Sequence, residues 1–282
     1  MADPTVTEGQ AFDRALIWSA TAMRMASDMA IDGIGATEKG AAFDMVTRAD
    51  GAIESYLRAQ VRDSFPDHGF LGEEEGGPDL ALPWRWVVDP IDGTLNYATG
   101  LAGAACSIAL YRGATPVVGA IADFNAKRIY RARAGTGVIL CHDGTVEAEC
   151  RPSPTAIGSA RVFIEWGWED LDPVMVGTLQ ELAKGRPRVI RIVGGAAYAL
   201  LNVALHGGCM LGMGLRIWDI AAGIVIAREA GLDVKVWQEQ ASVHVIAGSP
   251  DDVRELTPIV EKLGSRRVAP IKSAAPQEKN EA

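Results

Sequence analysis

Residues 84–97 read WRWVVDPIDGTLNY. Trp84, Trp86, Val87 and Val88 make a short apolar run between Pro83 and Pro90, and the run ends on Asp89. Such a run, bounded by turn residues, predicts a buried strand, which Pro90 is expected to stop. After Ile91 comes a second carboxylate, Asp92, and then Gly93 and Thr94. Gly93 suits an unusual turn or a close backbone approach. Two carboxylates at the end of a buried strand are costly unless positive charge neutralises them. Mg²⁺ is a suitable counter-charge, because it prefers carboxylate oxygens and leaves its other positions to water and substrate phosphate. A lone D-x-x-D-G would more simply be a strand end and an Asx-type turn in water. Further acids on either side of the motif shift the balance.

Upstream, FPDHGFLGEEEGG at 65–77 places Glu73, Glu74 and Glu75 after the break at Gly72. Three adjacent acids ordinarily mark a solvated loop. A loop that leaves a strand here would instead bring one or two glutamates beside Asp89 and Asp92. Thr47 and Asp50 form a T-x-x-D helix start, with Asp50 in a first turn where it complements the helix dipole. Downstream, Asp219 follows Trp218 at the start of an apolar helix, after a glycine-rich segment at 207–214. That aspartate reads either as a plain N-cap or as a carboxylate holding a cation where a helix N-terminus faces phosphate.

The 282-residue chain is 48% hydrophobic and 22% charged, as an ordinary globular core requires. Its net charge of −9 argues against broad nucleic-acid binding. An acidic protein that accepts a phosphorylated substrate needs a cation to make the site attractive. Cys106, Cys141, Cys150 and Cys209 form no C-x-x-C pair and read as reduced thiols. The N-terminus lacks a basic-then-apolar pattern, so a cytoplasmic protein is expected. The uncharged stretches 93–111 and 192–215 are too rich in glycine and polar residues for lipid-facing helices.

Periodicity predicts helices over 8–31 and 50–63, then strands at 103–111, 115–123, 127–132 and 137–141, an antiparallel meander. The stretch 142–158, with Asp143-Gly144, Pro152 and Pro154, is the expected boundary between an N-terminal half (1–150) and a C-terminal half (151–265). Strands at 161–166, 188–193, 232–237 and 243–247 are expected to alternate with helices at 172–184, 195–206, 218–230 and 250–263. The tail 266–282 is expected to be mobile. Meander and alternation together predict layered α+β structure.

GEE at 72–74, DPIDGT at 89–94, T-x-x-D at 47–50 and WD with Ala221-Ala222-Gly223 after it occur in one order and spacing. In this combination the chain resembles the inositol monophosphatase family of Mg²⁺-dependent, lithium-sensitive sugar phosphatases, from about residue 10 to about 263. The resemblance implies an αβαβα layered sandwich of the inositol monophosphatase and fructose-1,6-bisphosphatase type, usually dimeric. It implies that Glu73, Asp89, the backbone carbonyl of Ile91, Asp92 and Asp219 bind two or three Mg²⁺ ions. Thr94 with Asp50 would orient and activate the attacking water, and Glu74 would stand near the cations or that water. The amides of Gly93 and Thr94 would face the substrate phosphate. Lys39, on a mobile loop, together with Ala196 and Trp168, would complete the substrate side.

The implied activity is hydrolysis of a small polyol or sugar phosphate, with positioning and electrostatics rather than a covalent nucleophile carrying the reaction. Two departures concern the alcohol side. Many family members carry an acid several positions before the WD pair, where this chain has Gly212, and Trp168 replaces a residue that is often small and polar. Fructose 1,6-bisphosphate, a 3′-phosphoadenosine nucleotide and histidinol phosphate therefore stand beside inositol phosphate as substrates. A regulatory protein-binding scaffold on the same fold is the alternative of another class, and the intact set of acids argues against it.

Overall fold

The computed structural model describes residues 4–31, 37–38, 45–77, 82–142, 145–150, 160–167, 173–185, 189–239 and 242–264. Lys39, Trp168, the segment 32–36 and the tail 266–282 lie outside them. The N-terminal helices are α1 (Pro4–Ile31) and α2 (Arg48–Ser64), with a short ladder of β1 (Thr37–Glu38) and β2 (Met45–Val46) between them. A seven-stranded sheet follows: β3 (Gly69–Gly72), β4 (Trp84–Asp92), β5 (Ala105–Arg112), β6 (Thr115–Asp123), β7 (Arg128–Arg133), β8 (Val138–His142) and β9 (Thr145–Cys150), in that spatial order. Only the β3–β4 pair is parallel. A six-residue helix, α3 (Thr94–Thr99), directly follows β4.

The remaining elements are β10 (Arg161–Trp166), α4 (Pro173–Leu182), β11 (Val189–Arg191), α5 (Ala196–His206), β12 (Cys209–Leu215), α6 (Ile217–Glu229), β13 (Asp233–Glu239), β14 (Ser242–Gly248) and α7 (Pro250–Gly264). Their strands form a second sheet in the order β11-β10-β12-β14-β13. Helices α5 and α6 lie between the sheets. Ala197, Leu201, Ala221 and Ile226 pack with Val87 and Ile121 of the first sheet, and Leu200, Val203, Ile220 and Ile224 with Phe163 and Val245 of the second. Helices α1 and α2 cover the outer face of the first sheet, and Leu182, Leu256 and Val260 of α4 and α7 cover that of the second. This is the expected αβαβα sandwich.

Apart from Arg85, the WRWVV run is apolar and not alternating, because β4 is buried on both faces from Trp86 onward. Trp86 lies on the outer side, 4.9 Å from the Trp18 ring centroid, and Val87 faces α5 and α6. The Trp86 indole donates to His68 Nδ1 at 3.2 Å. Burial lowers the His68 pKa to about 4, which keeps that acceptor neutral.

Sequence expectation and structure differ in several places. Pro90 does not end β4, which continues to Asp92. Opposite β5, Asp89 pairs with Ser107 and Asp92 with Ala105, so three steps on one strand oppose two on the other. This irregularity accommodates the missing proline N–H. The segment 207–214 is not only a glycine-rich lead-in: β12 occupies most of it as a fully buried strand. Thr37 and Glu38, expected in a loop, pair with Val46 and Met45. Residues 145–150, expected in the boundary stretch, extend the first sheet as β9.

Candidate active site

In a regular strand, residues three apart point to opposite faces. The irregularity at Pro90–Ile91 changes that parity, and Asp89 and Asp92 act on each other electrostatically and both on Asp219. Asp89 is 1% exposed and Asp92 6%. Glu73, one residue past β3, shares a side-chain hydrogen bond with Asp89. The four predicted carboxylates therefore meet where β3, the end of β4 and the start of α6 converge.

Their environment is hostile to negative charge. Burial, then Glu73, Asp92 and Asp219, hold the Asp89 carboxyl well above the usual range. Burial and then Asp219 do the same to Asp92, against the hydrogen bonds it accepts from the Tyr198 and Ala196 amides. Burial and Glu73 raise Asp219 to about 7, against the N–H of Arg216. Asp89 Oδ1 is buried with no hydrogen-bond partner. Among the described residues, no three acidic, histidine or cysteine side chains are already arranged as ligands of one ion. The donor set still fits a hard cation. It is all oxygen, it is mutually repulsive, and it includes an orphaned carboxylate oxygen whose burial costs free energy without a positive partner.

Asp219 is not an N-cap. It is the third residue of α6, and its carboxylate accepts from the backbone N–H of Arg216 at 2.8 Å. Asp50 stands in the equivalent place on α2, within a capping box: its Oδ2 accepts from Thr47 N at 2.8 Å and from the Thr47 hydroxyl at 2.5 Å. Its other oxygen lies 3.4 Å from Thr94 Oγ1, which also lies 2.9 Å from the Ile91 carbonyl. Thr94, Asp50 and Ile91 O are thus in one small group beside the carboxylates.

Gly93 opens α3 with a φ of 77°, and a Cβ there would come within 2.4 Å of Gly103 O. Only glycine meets both demands without strain. Glu74 follows Glu73 in the turn after β3 and is partly buried. The amide of Ala196 is already committed, donating to Asp92 Oδ1 at 2.9 Å, while Tyr198 N donates to Oδ2 at 3.1 Å. The N-terminus of α5 thus supports Asp92. Gly212 faces packed apolar groups: a Cβ there would meet Leu215 Cδ1 at 2.6 Å and Val245 Cγ1 at 2.7 Å.

Three polar residues near the site were not singled out by the sequence reading. Glu165 on β10, 5% exposed, accepts from Val193 N at 2.9 Å and Gly194 N at 3.1 Å, just before α5. Burial raises it to about 7 in spite of those amides. Asn96 of α3 grips the same turn, donating to Val193 O at 2.7 Å. Glu54 of α2 accepts from the amides of Glu74 and Glu75. Glu54 stands one helical turn from Asp50, a spacing that could have drawn attention to it.

A profile described as the inositol monophosphatase family matches residues 6–274. The inositol-1-monophosphatase SuhB of Mycobacterium tuberculosis is 31% identical over 264 residues, covering 85% of this chain and 86% of that protein. A solved structure of M. tuberculosis SuhB superposes with a TM-score of 0.74 at 28% identity, over 90% of this chain and 97% of that one. A structure described as an IMPase/NADP phosphatase complexed with Mg²⁺ and phosphate superposes with a TM-score of 0.74, over 90% of this chain and 96% of that one. At 20% identity, that likeness speaks for the fold alone.

Proposed function

This chain belongs to the inositol monophosphatase family of metal-using phosphoric monoester hydrolases, and from that premise we propose that it is a Mg²⁺-dependent phosphomonoesterase for a small polyol or sugar phosphate. The observation that carries the reading is the buried, mutually repelling carboxylate group around the unpartnered Asp89 Oδ1, next to the Thr94–Asp50 pair.

Glu73, Asp89, Asp92, Asp219 and the Ile91 carbonyl would hold the metal. Bound there, Mg²⁺ would acidify the attacking water and polarise the phosphoryl oxygens. The chain's own groups supply the rest. Thr94, held between Asp50 and Ile91 O, orients the water and passes its proton towards the Asp50 carboxylate. Asp92 is kept in place by the α5 amides. Gly93 allows the backbone around Thr94 to approach the phosphate closely. The test is phosphate release from a panel of inositol, sugar, nucleotide and histidinol phosphates, with Mg²⁺ and with EDTA. Release that requires Mg²⁺ supports the reading, and release unaffected by EDTA contradicts it.

The raised carboxyls give a pH prediction. In the metal-free protein the folded state holds protons that the unfolded chain has released, from the ordinary value of 3.8 up to about 7 for Asp219. Stability is then greatest at the acidic end of this window and falls as pH rises through it. Thermal melts in EDTA should show a lower Tm at pH 7.5 than at pH 5. Saturating Mg²⁺ should reverse the order, because it binds the deprotonated set.

A homodimer is part of the same reading. Strand β11 is an edge strand whose Val189, Ile190 and Arg191 are all exposed, and Ile192 beyond it is 56% exposed. Leu95 and Leu101, also exposed, flank Asn96, which bonds Val193 O. An uncovered apolar edge of this kind favours pairing. Ile192→Glu should shift the mass seen by light scattering from dimer to monomer. An unchanged dimer would place the interface elsewhere. Among the described residues, no helix is long and apolar enough to cross a membrane.

A further inference from the structure

We propose that Glu54 is a positioning residue for the candidate metal centre, setting the place of Glu73 through the backbone of the acidic turn. The inference rests on the metal-centre reading above. Glu54 is fully buried on α2, one turn after Asp50. Its Oε2 accepts from Glu74 N at 2.8 Å and its Oε1 from Glu75 N at 3.0 Å. Arg58, a turn further on, donates to Oε1 at 2.7 Å and to Gly76 O at 2.9 Å, and its Nε lies 3.2 Å from the Glu75 carboxylate. A buried carboxylate depends on such partners, and the partners that hold Glu54 belong to the acidic turn or to Arg58, which grips that turn as well.

The geometry explains how the effect reaches the metal. The Glu74 N–H lies in the peptide plane that leaves Glu73. Strand β3, which ends on Gly72 opposite Val88, fixes the chain that enters Glu73, and Glu54 fixes the plane that leaves it. Together they set the direction in which the Glu73 side chain departs, and a ligand held in place binds metal more tightly than one that must be ordered. Gly72 belongs to the same arrangement. A Cβ there would lie 2.2 Å from Glu54 Cδ, so the Glu54 carboxyl occupies the space a side chain at 72 would need. Helix α2 therefore carries two carboxylates with separate duties: Asp50 faces Thr94, and Glu54 holds the turn of Glu73.

The test is calorimetric titration of Mg²⁺ into the full chain, alongside phosphate release and thermal melts. Glu54→Gln keeps the shape but presents an NH₂ to one of two backbone N–H groups. Gly72→Ala leaves the charge and displaces the carboxyl by contact. Both variants should bind Mg²⁺ about 10–100-fold more weakly, with turnover recovering as Mg²⁺ is raised. A merely structural Glu54 would lower Tm and leave the Mg²⁺ affinity of folded protein unchanged, and that result in both variants would overturn the proposal. If Glu54→Gln does not fold, Gly72→Ala decides. Wild-type protein that binds no Mg²⁺ would instead sink the metal-centre reading itself.

Discussion

Asp89→Asn should reduce phosphate release by more than about 100-fold, beyond the usual range for residues that only support a ligand, and should raise the melting temperature of the metal-free protein. The two effects have one cause. Asp89 is buried against Glu73, Asp92 and Asp219, and one of its oxygens has no partner. Metal-free, the negative charge is a burden. An asparagine there removes that charge and offers an NH₂ to the Glu73 carboxylate. A relief of about 1 kcal/mol corresponds to about 2–4 °C in a domain of this size. With Mg²⁺ the order should invert: wild type gains stability from the ion and the variant gains little. Retained turnover would remove Asp89 from the metal set. A lower metal-free Tm would mean that its carboxylate is structural.

Thr94→Ala should lower kcat by about 10²–10⁴-fold, the range for losing a positioned proton-transfer group, with Mg²⁺ affinity close to wild type. Thr94 Oγ1 bridges Asp50 Oδ1 and the Ile91 carbonyl. Removing it leaves the carboxylates of Glu73, Asp89, Asp92 and Asp219 and that carbonyl in place. Asp50 also keeps both of its Thr47 hydrogen bonds, so α2 should remain capped. Calorimetry and steady-state kinetics on the same preparation separate the two quantities. A large fall in Mg²⁺ affinity would show that Thr94 organises the metal site rather than the water.

Much of this arrangement was legible in the chain because its signals are local. The apolar run into Asp89 is a strand buried on both faces, and T-x-x-D at 47–50 is a helix start that uses both of its polar residues. The WD pair at 218–219 was recognisable too, although Asp219 proved to be the third residue of α6 rather than its cap. The parity of Asp89 and Asp92 was hidden. It depends on the register of β4 against β5 on either side of Pro90, and a proline alone reads as a strand end. Strand β12 was hidden by Gly212 and Gly214, which weaken a strand pattern; Leu215 and Val245 press against position 212, and Gly214 has a φ of 67°. Glu54, Asn96 and Glu165 were hidden for a third reason. Their partners include amides and carbonyls 20, 28 and 97 residues away, and no local pattern encodes such pairings.

The most direct test of the metal centre is an anomalous diffraction measurement on crystals grown with Mn²⁺ in place of Mg²⁺. The expected result is a peak among Glu73, Asp89, Asp92, Asp219 and the Ile91 carbonyl, with Asp89 Oδ1 bonded to it. Anomalous density confined to other acidic surfaces, with the Asp89 oxygen still unpartnered, would contradict it.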